Sequence, residues 1–229
     1  ANIKVLKFPG KFNYSAINNF GASHAKGEVL LLLNNDVEVI EADWLTELVS
    51  HVMRPEIGAV GGRLYYSDDH VQHDGIIVGI GGVAGYANWR LKRTDIAAFG
   101  GSRLIRSFSA ITAAVLAVRN EVFHRVNGLD DMNLEVAFND VDFCLRLNAA
   151  GYRNLYTPYC ELYHHESLSR GSDVIGEKAK RFEKEVHFMQ KKWPEIIAND
   201  PYYNPNLSLT HGFSLDMDRG QKWPWEEND

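Results

Sequence analysis

Apolar residues recur along this chain in two rhythms, short unbroken runs and stripes spaced three and four apart, and the two alternate. Val29 to Leu33 is an unbroken apolar run closed by Asn34, Asn35 and Asp36. A run this short, bounded by polar groups, predicts the central strand of a parallel sheet covered on both faces. Ser15 to Ala25 places Ala16, Ile17, Phe20 and Ala25 at helical spacing, and Gly27 ends the pattern. From about Asp43 to Met53, residues Trp44, Leu45, Leu48, Val49 and Val52 make one apolar helix face, with Pro55 beyond it. With Ile3 to Phe8 read as a strand, the chain opens β-α-β-α.

Ala59 to Tyr65 and Ile76 to Val78 read as strands flanking a turn at Asp68 to His73. Regularity then lapses. Gly79 to Ser107 mixes glycines with Trp89, Arg90, Lys92, Arg93, Arg103 and Arg106, which suits a long functional surface loop. A strand over Ser109 to Val118 follows, then helices over Asn120 to Val126 and Asn139 to Ala150. A strand pair around Leu155-Tyr156 and Glu161-Tyr163 comes next, and a charged amphipathic helix from Glu177 to Trp193 is stopped by Pro194. Strands alternating with helices place the chain in the α/β class. Beyond about residue 195 the periodicity is lost, so 196–229 reads as a carboxy-terminal tail that wraps the surface.

At 229 residues, 45% hydrophobic and 24% charged, the chain can bury one large core. Its 24 Lys+Arg against 30 Asp+Glu give a net charge of -6, which argues against a nucleic-acid partner. Cys144 and Cys160 lack metal or redox spacing and read as reduced thiols. No apolar stretch reaches the length of a membrane span, so the expectation is a cytoplasmic protein, at most peripheral to the inner face of the membrane.

Three polar clusters carry the candidate chemistry. Asp36 and Glu38 stand one residue apart at the end of the apolar strand, where ligands collect in open α/β sheets, and two such carboxylates can face one divalent cation. Asn139-Asp140-Val141-Asp142 opens a helix. Its first-turn carboxylates are favoured in ionised form by the helix dipole, which makes Asp140 a candidate base, while Asp142 and Arg146 are spaced to pair. Tyr163-His164-His165 ends a strand. Adjacent strand residues face opposite ways, so one histidine of the pair can join a carboxylate site as a neutral imidazole. The glycines from Gly79 to Gly85 lack the helix that a dinucleotide fingerprint needs, and no serine sits in a nucleophile elbow.

Taken in order, these residues resemble the family 2 glycosyltransferases of bacterial surface-polysaccharide or O-antigen synthesis, rhamnosyltransferases among them. The resemblance rests on Phe12-Asn13-Tyr14-Ser15-Ala16-Ile17-Asn18-Asn19 with Ala25-Lys26-Gly27-Glu28, on Asn35-Asp36-Val37-Glu38, on Asn139-Asp140-Val141-Asp142-Phe143-Cys144-Leu145-Arg146, and on His164-His165-Glu166-Ser167 with Ser169-Arg170-Gly171. It implies a GT-A fold, a mostly parallel sheet flanked by helices, over 1–195. It also implies an inverting transfer from a UDP- or dTDP-sugar to a saccharide or lipid-linked acceptor. By that resemblance Asp36 and Glu38 form a D-x-D-type element in which Asn35, Asp36 and Glu38 bind the donor. Asp36, Glu38 and His164 hold Mg or Mn, Asp140 is the catalytic base, and Ser109, Ala110 and Asp142 line the acceptor side.

Family members open with βα units that grip the nucleotide base, and this reading finds none before Ile3. The expectation is therefore an amino-terminally truncated domain with an exposed sheet edge. Two other classes compete. A non-catalytic saccharide-binding or assembly module would retain the fold without transfer, and a metal-dependent phosphoesterase would hydrolyse its substrate with no acceptor sugar.

Overall fold

The computed structural model describes residues 3–165, 176–210, 212–217 and 219. Its elements are α1 (Tyr14–His24), β1 (Val29–Leu33), β2 (Val37–Val39), α2 (Trp44–Val52), β3 (Ile57–Tyr65), β4 (Val71–His73), β5 (Ile76–Val78) and β6 (Ala84–Tyr86). They continue with β7 (Arg106–Phe108), β8 (Val115–Arg119), α3 (Asn120–Arg125), α4 (Asn139–Ala149), β9 (Arg153–His164), α5 (Glu177–Lys192) and α6 (Pro194–Ala198).

The central sheet has the order β1-β8-β3-β9-β2, with β4 beside β3 and β7 beside β9. The β3–β9 ladder is parallel. The ladders of β1 and β3 with β8 are antiparallel, so β1, β3 and β9 run one way and β8 runs between them the other way. Among the described residues β3–β9 is the one parallel ladder of this sheet, so it is mixed and not the mostly parallel sheet expected, within the α/β class that the sequence predicts. Strand alternation divides two apolar layers. Leu30, Leu32, Leu116 and Val118 face a core shared with Ala22 of α1, Val122 and Phe123 of α3 and Phe143 of α4. Val115, Ala117, Val60 and Leu64 face the other layer, under Leu48 and Val52 of α2.

Helix starts follow local chemistry. The Asn13 side chain accepts the Ala16 N–H at 2.8 Å and caps α1. Pro194 ends α5 as expected and also begins α6, where its missing N–H costs nothing.

Several expectations need correction. Val29–Leu33 is a covered strand but lies at the sheet edge instead of its centre, and Leu33 is 44% exposed. Ile3 to Phe8 forms no strand, because no neighbour supplies a ladder; Ile3 and Val5 are 83% and 89% exposed. The turn at Asp68 to His73 contains β4. Only Val115–Arg119 of the Ser109 to Val118 run is strand, and 109–114 is a buried irregular connection. The strand pair is one long strand, β9, which absorbs Pro158 in a bulge: five steps from Tyr156 to Glu161 face two steps from Gly61 to Arg63 on β3. Past α6, Asp200 is buried and accepts the Val78 N–H and the Ser109 hydroxyl at 2.7 and 2.6 Å, which ties the carboxy-terminal segment to the core.

Candidate functional site

The turn Asn34 to Asp36 carries the chain from β1, at one edge of the sheet, to β2, at the other. Val37 pairs with His164, and the His165 N–H donates to the Asp36 carbonyl at 2.8 Å, so β2 and β9 close together around the turn. Asp36 Oδ1 then lies 3.2 Å from His164 Nε2. That oxygen is buried and makes no hydrogen bond.

A neighbouring amide shows which atom of His164 holds the proton. Gln72 Oε1 lies 2.7 Å from His164 Nδ1, while Gln72 Nε2 donates to the His164 carbonyl at 3.3 Å. An amide assigned this way accepts the Nδ1 proton and leaves Nε2 as the acceptor nitrogen. Asn34 lies between Tyr14 and this ring, its Oδ1 3.3 Å from Tyr14 Oη and its Nδ2 3.1 Å from His164 Nε2. A carboxylate oxygen without a hydrogen bond beside an imidazole lone pair is a donor set for a cation. Asp36 and His164 therefore fit a divalent ion, though no third carboxylate, histidine or cysteine joins them among the described residues.

Glu38 stands elsewhere. Its Oε2 is 3.1 Å from His165 Nε2, whose Nδ1 is 3.1 Å from Ser67 Oγ, and its side chain is 67% exposed. The expected single cation shared by Asp36 and Glu38 gives way to two separate pairs, one with each histidine. The strand alternation that turns His165 away from His164 carries Glu38 with it. Asn35 is exposed in the turn.

Asp140 lies in the first turn of α4, which the chain enters through Phe138 in a left-handed conformation (φ 58°). Its Oδ1 accepts the Val141 N–H at 2.8 Å and its Oδ2 the Ala113 N–H at 3.1 Å. Burial pushes its carboxyl above the usual carboxylate range, against these hydrogen bonds and one with Thr112. A carboxylate with a raised pKa is the stronger proton acceptor.

The two halves of the site are wired together. Tyr14 Oη donates to the Ala113 carbonyl at 2.9 Å while touching Asn34, so Asp140, Ala113, Tyr14, Asn34 and His164 form one chain of contacts. On the far side of that segment the Thr112 N–H donates to His73 Nε2 at 3.2 Å, and His73 Nδ1 donates to the Gly62 carbonyl at 3.0 Å. Burial lowers the His73 pKa to about 4, so the ring is neutral. The sequence reading missed Tyr14, Gln72 and His73 as site residues. One signal was present: Gln72-His73-Asp74 puts three polar side chains in succession between apolar Val71 and Ile76, and all three are buried.

The expected acceptor side is closed. Ser109 and Ala110 are fully buried, and the Ser109 carbonyl is taken by Asn148 and Asn154. Asp142 is also fully buried, accepting from Arg146 Nε and Trp193 Nε1 at 2.8 Å and from Lys192 Nζ at 2.7 Å. It pairs with Arg146 as the spacing predicts, and it locks α4 to the α5–α6 junction instead of meeting an acceptor. Glu166, Ser167, Ser169, Arg170 and Gly171 lie outside the described residues.

Residues 1–111 match the model of Glycosyl transferase family 2. The chain is 46% identical over 207 residues to Uncharacterized protein y4gI of Sinorhizobium fredii, a match covering 90% of this chain and 23% of that protein. It is 44% identical over 206 residues to O-antigen biosynthesis protein RfbC of Myxococcus xanthus, covering 90% and 16%. The chain thus spans less than a quarter of the length of these relatives. Its fold is similar to the crystal structure of GalNAc-T7 with UDP, GalNAc and Mn2+, with a TM-score of 0.59 at 14% identity over 88% of this chain and 41% of that one. The GT-A arrangement expected from the sequence is borne out.

Proposed function

From the match of residues 1–111 to the model of Glycosyl transferase family 2, we propose that this chain acts as a member of that family and moves a sugar from a nucleotide-diphosphate donor to a saccharide or lipid-linked saccharide, with inversion. The observation that carries this reading is the approach of Asp36 Oδ1 to His164 Nε2 at 3.2 Å, with the oxygen lacking any hydrogen bond. Asp36 and His164 would hold a divalent cation, Mg or Mn. When bound, such an ion supplies neutralising charge for a leaving diphosphate. Asp140 takes the proton of the acceptor hydroxyl, and the exposed Asn35 stands beside the donor. Asp140 is held fixed by the Ala113 and Val141 amides, so no reorganisation of its carboxylate is needed for proton transfer.

A saccharide acceptor accords with the name of RfbC, an O-antigen biosynthesis protein. The fold of GalNAc-T7, solved with UDP, GalNAc and Mn2+, accords with a cation-dependent donor site. A UDP- or dTDP-sugar is the donor class to screen first, with rhamnose and related hexoses among the sugars. The test is calorimetric titration of Mn2+ and nucleotide into the chain and into Asp36→Ala, together with a transfer assay on saccharide acceptors. Loss of Mn2+ binding in Asp36→Ala and transfer that requires the acceptor support the reading. Equal Mn2+ binding in both proteins, or donor hydrolysis at the same rate without acceptor, would defeat it.

A further inference from the structure

We propose that Gln72 is the positioning residue of the cation site, holding His164 in the tautomer that turns an Nε2 lone pair toward Asp36. The inference rests on reading Asp36 and His164 as cation ligands. It adds a residue that neither strand patterning nor the family resemblance singled out.

The backbone aims Gln72 for this task. On the β3–β4 ladder Leu64 pairs with His73 and Tyr65 with Val71, so β4 advances two residues where β3 advances one. Gln72 is the extra residue of that bulge. A bulged residue leaves the alternation of its strand and is redirected, which is how such irregularities re-aim side chains beside functional sites. The redirected amide spans β3 to reach β9, where Tyr163 is the partner of Tyr65 and His164 follows. Both ends of the amide are used on one residue: Oε1 on the His164 ring at 2.7 Å and Nε2 on the His164 carbonyl at 3.3 Å. Gripping ring and backbone together fixes the imidazole in rotation as well as in tautomer.

An amide also differs from the carboxylate often found behind a ligating histidine. Being neutral, Gln72 offers an acceptor oxygen and a donor nitrogen at once, so it holds both the ring and the carbonyl of His164, which an ionised carboxylate cannot do. Gln72 is 2% exposed, which keeps water from competing for Nδ1.

The experiment uses the full chain with Gln72→Leu, Gln72→Asn and Gln72→Glu, and reads Mn2+ affinity by electron paramagnetic resonance and the metal-free His164 ring by nitrogen NMR. Gln72→Asn, one methylene shorter, keeps an amide and guards against a folding failure of Gln72→Leu. Both should weaken Mn2+ by about 10–100-fold and shift the metal-free ring away from the Nδ1–H tautomer. Gln72→Glu keeps an acceptor for Nδ1 and loses the donor to the His164 carbonyl, so it should keep that tautomer and weaken Mn2+ less than Gln72→Leu does. Folded Leu and Asn variants with parental Mn2+ affinity, or with an unchanged tautomer, overturn the role of Gln72. Asp36→Ala and His164→Ala separate the two readings. If they abolish Mn2+ binding while the Gln72 variants do not, only the positioning role falls; if they leave it intact, the cation site falls and the positioning role falls with it.

Discussion

Asp140 Oδ2 accepts the Ala113 N–H at 3.1 Å, so the candidate base is fastened to the segment that Tyr14 links to Asn34. Asp140→Asn replaces one acceptor oxygen by an amide that meets a main-chain N–H. Transfer should fall by about 10²-fold or more, the range that a positioned base contributes. The cost in stability should be about 1–3 kcal/mol for the N–H left without an acceptor. Steady-state kinetics beside thermal denaturation separates the two effects, and undiminished turnover in the folded variant would remove Asp140 from the chemistry.

Glu38 gives the sharpest check on the proposed cation site. Paired with His165 and largely exposed, it should contribute little to the ion. Glu38→Gln is expected to leave Mn2+ affinity within about 3-fold of the parent, far from the 10–100-fold loss typical of disturbing a ligand's support. A loss as large as that of Asp36→Ala would restore the two-carboxylate arrangement.

Asp142 should behave as a structural charge. Its carboxylate has no exposure and is shared by Arg146, Trp193 and Lys192. Truncation leaves buried donors unmatched, so Asp142→Ala should cost about 3–5 kcal/mol in denaturant titrations. Mn2+ affinity of the molecules that remain folded should be unchanged.

Two buried groups pull the pH dependence of stability in opposite directions. Burial raises the Asp74 pKa from 3.8 to about 6, against hydrogen bonds from Tyr156 and Asn88 and the charges of Arg63 and Arg106. The folded state therefore binds this proton more tightly, and stability falls as pH rises from about 4 to about 6. His73 has its pKa lowered from 6.5 to about 4, so the unfolded chain binds that proton first and stability rises over nearly the same window. In Asp74→Asn the falling contribution disappears. Urea titrations between pH 4 and 6.5 should show a steeper gain of stability with pH in the variant. At about 1.4 kcal/mol per pKa unit, the difference between the proteins across the window is on the order of 3 kcal/mol. Parallel curves would contradict this account.

Helices and covered strands were legible because each obeys a period that burial enforces, as α1, α2 and β5 show. Long-range contacts were not. The run Val29 to Leu33 looks central because it is apolar on both faces, yet facial burial says nothing about lateral neighbours, and β1 proved to be an edge. Asp36, Asp140 and His164 were identifiable by residue type at element ends, and the structure brings them into one network. Glu38 and Asp142 were equally acidic and equally close in sequence. What separates them is which way a strand or helix turns the side chain, information that resides in register and partners.

The bulge around Pro158 acts as a parity device. Three surplus residues on β9 invert the in-and-out order of everything after them relative to Arg153–Tyr156. With an even surplus in an otherwise fixed frame, His165 would occupy the inward place and His164 the outward one. The identity of the histidine beside Asp36 is thus decided upstream, by how many residues the chain spends in passing Pro158.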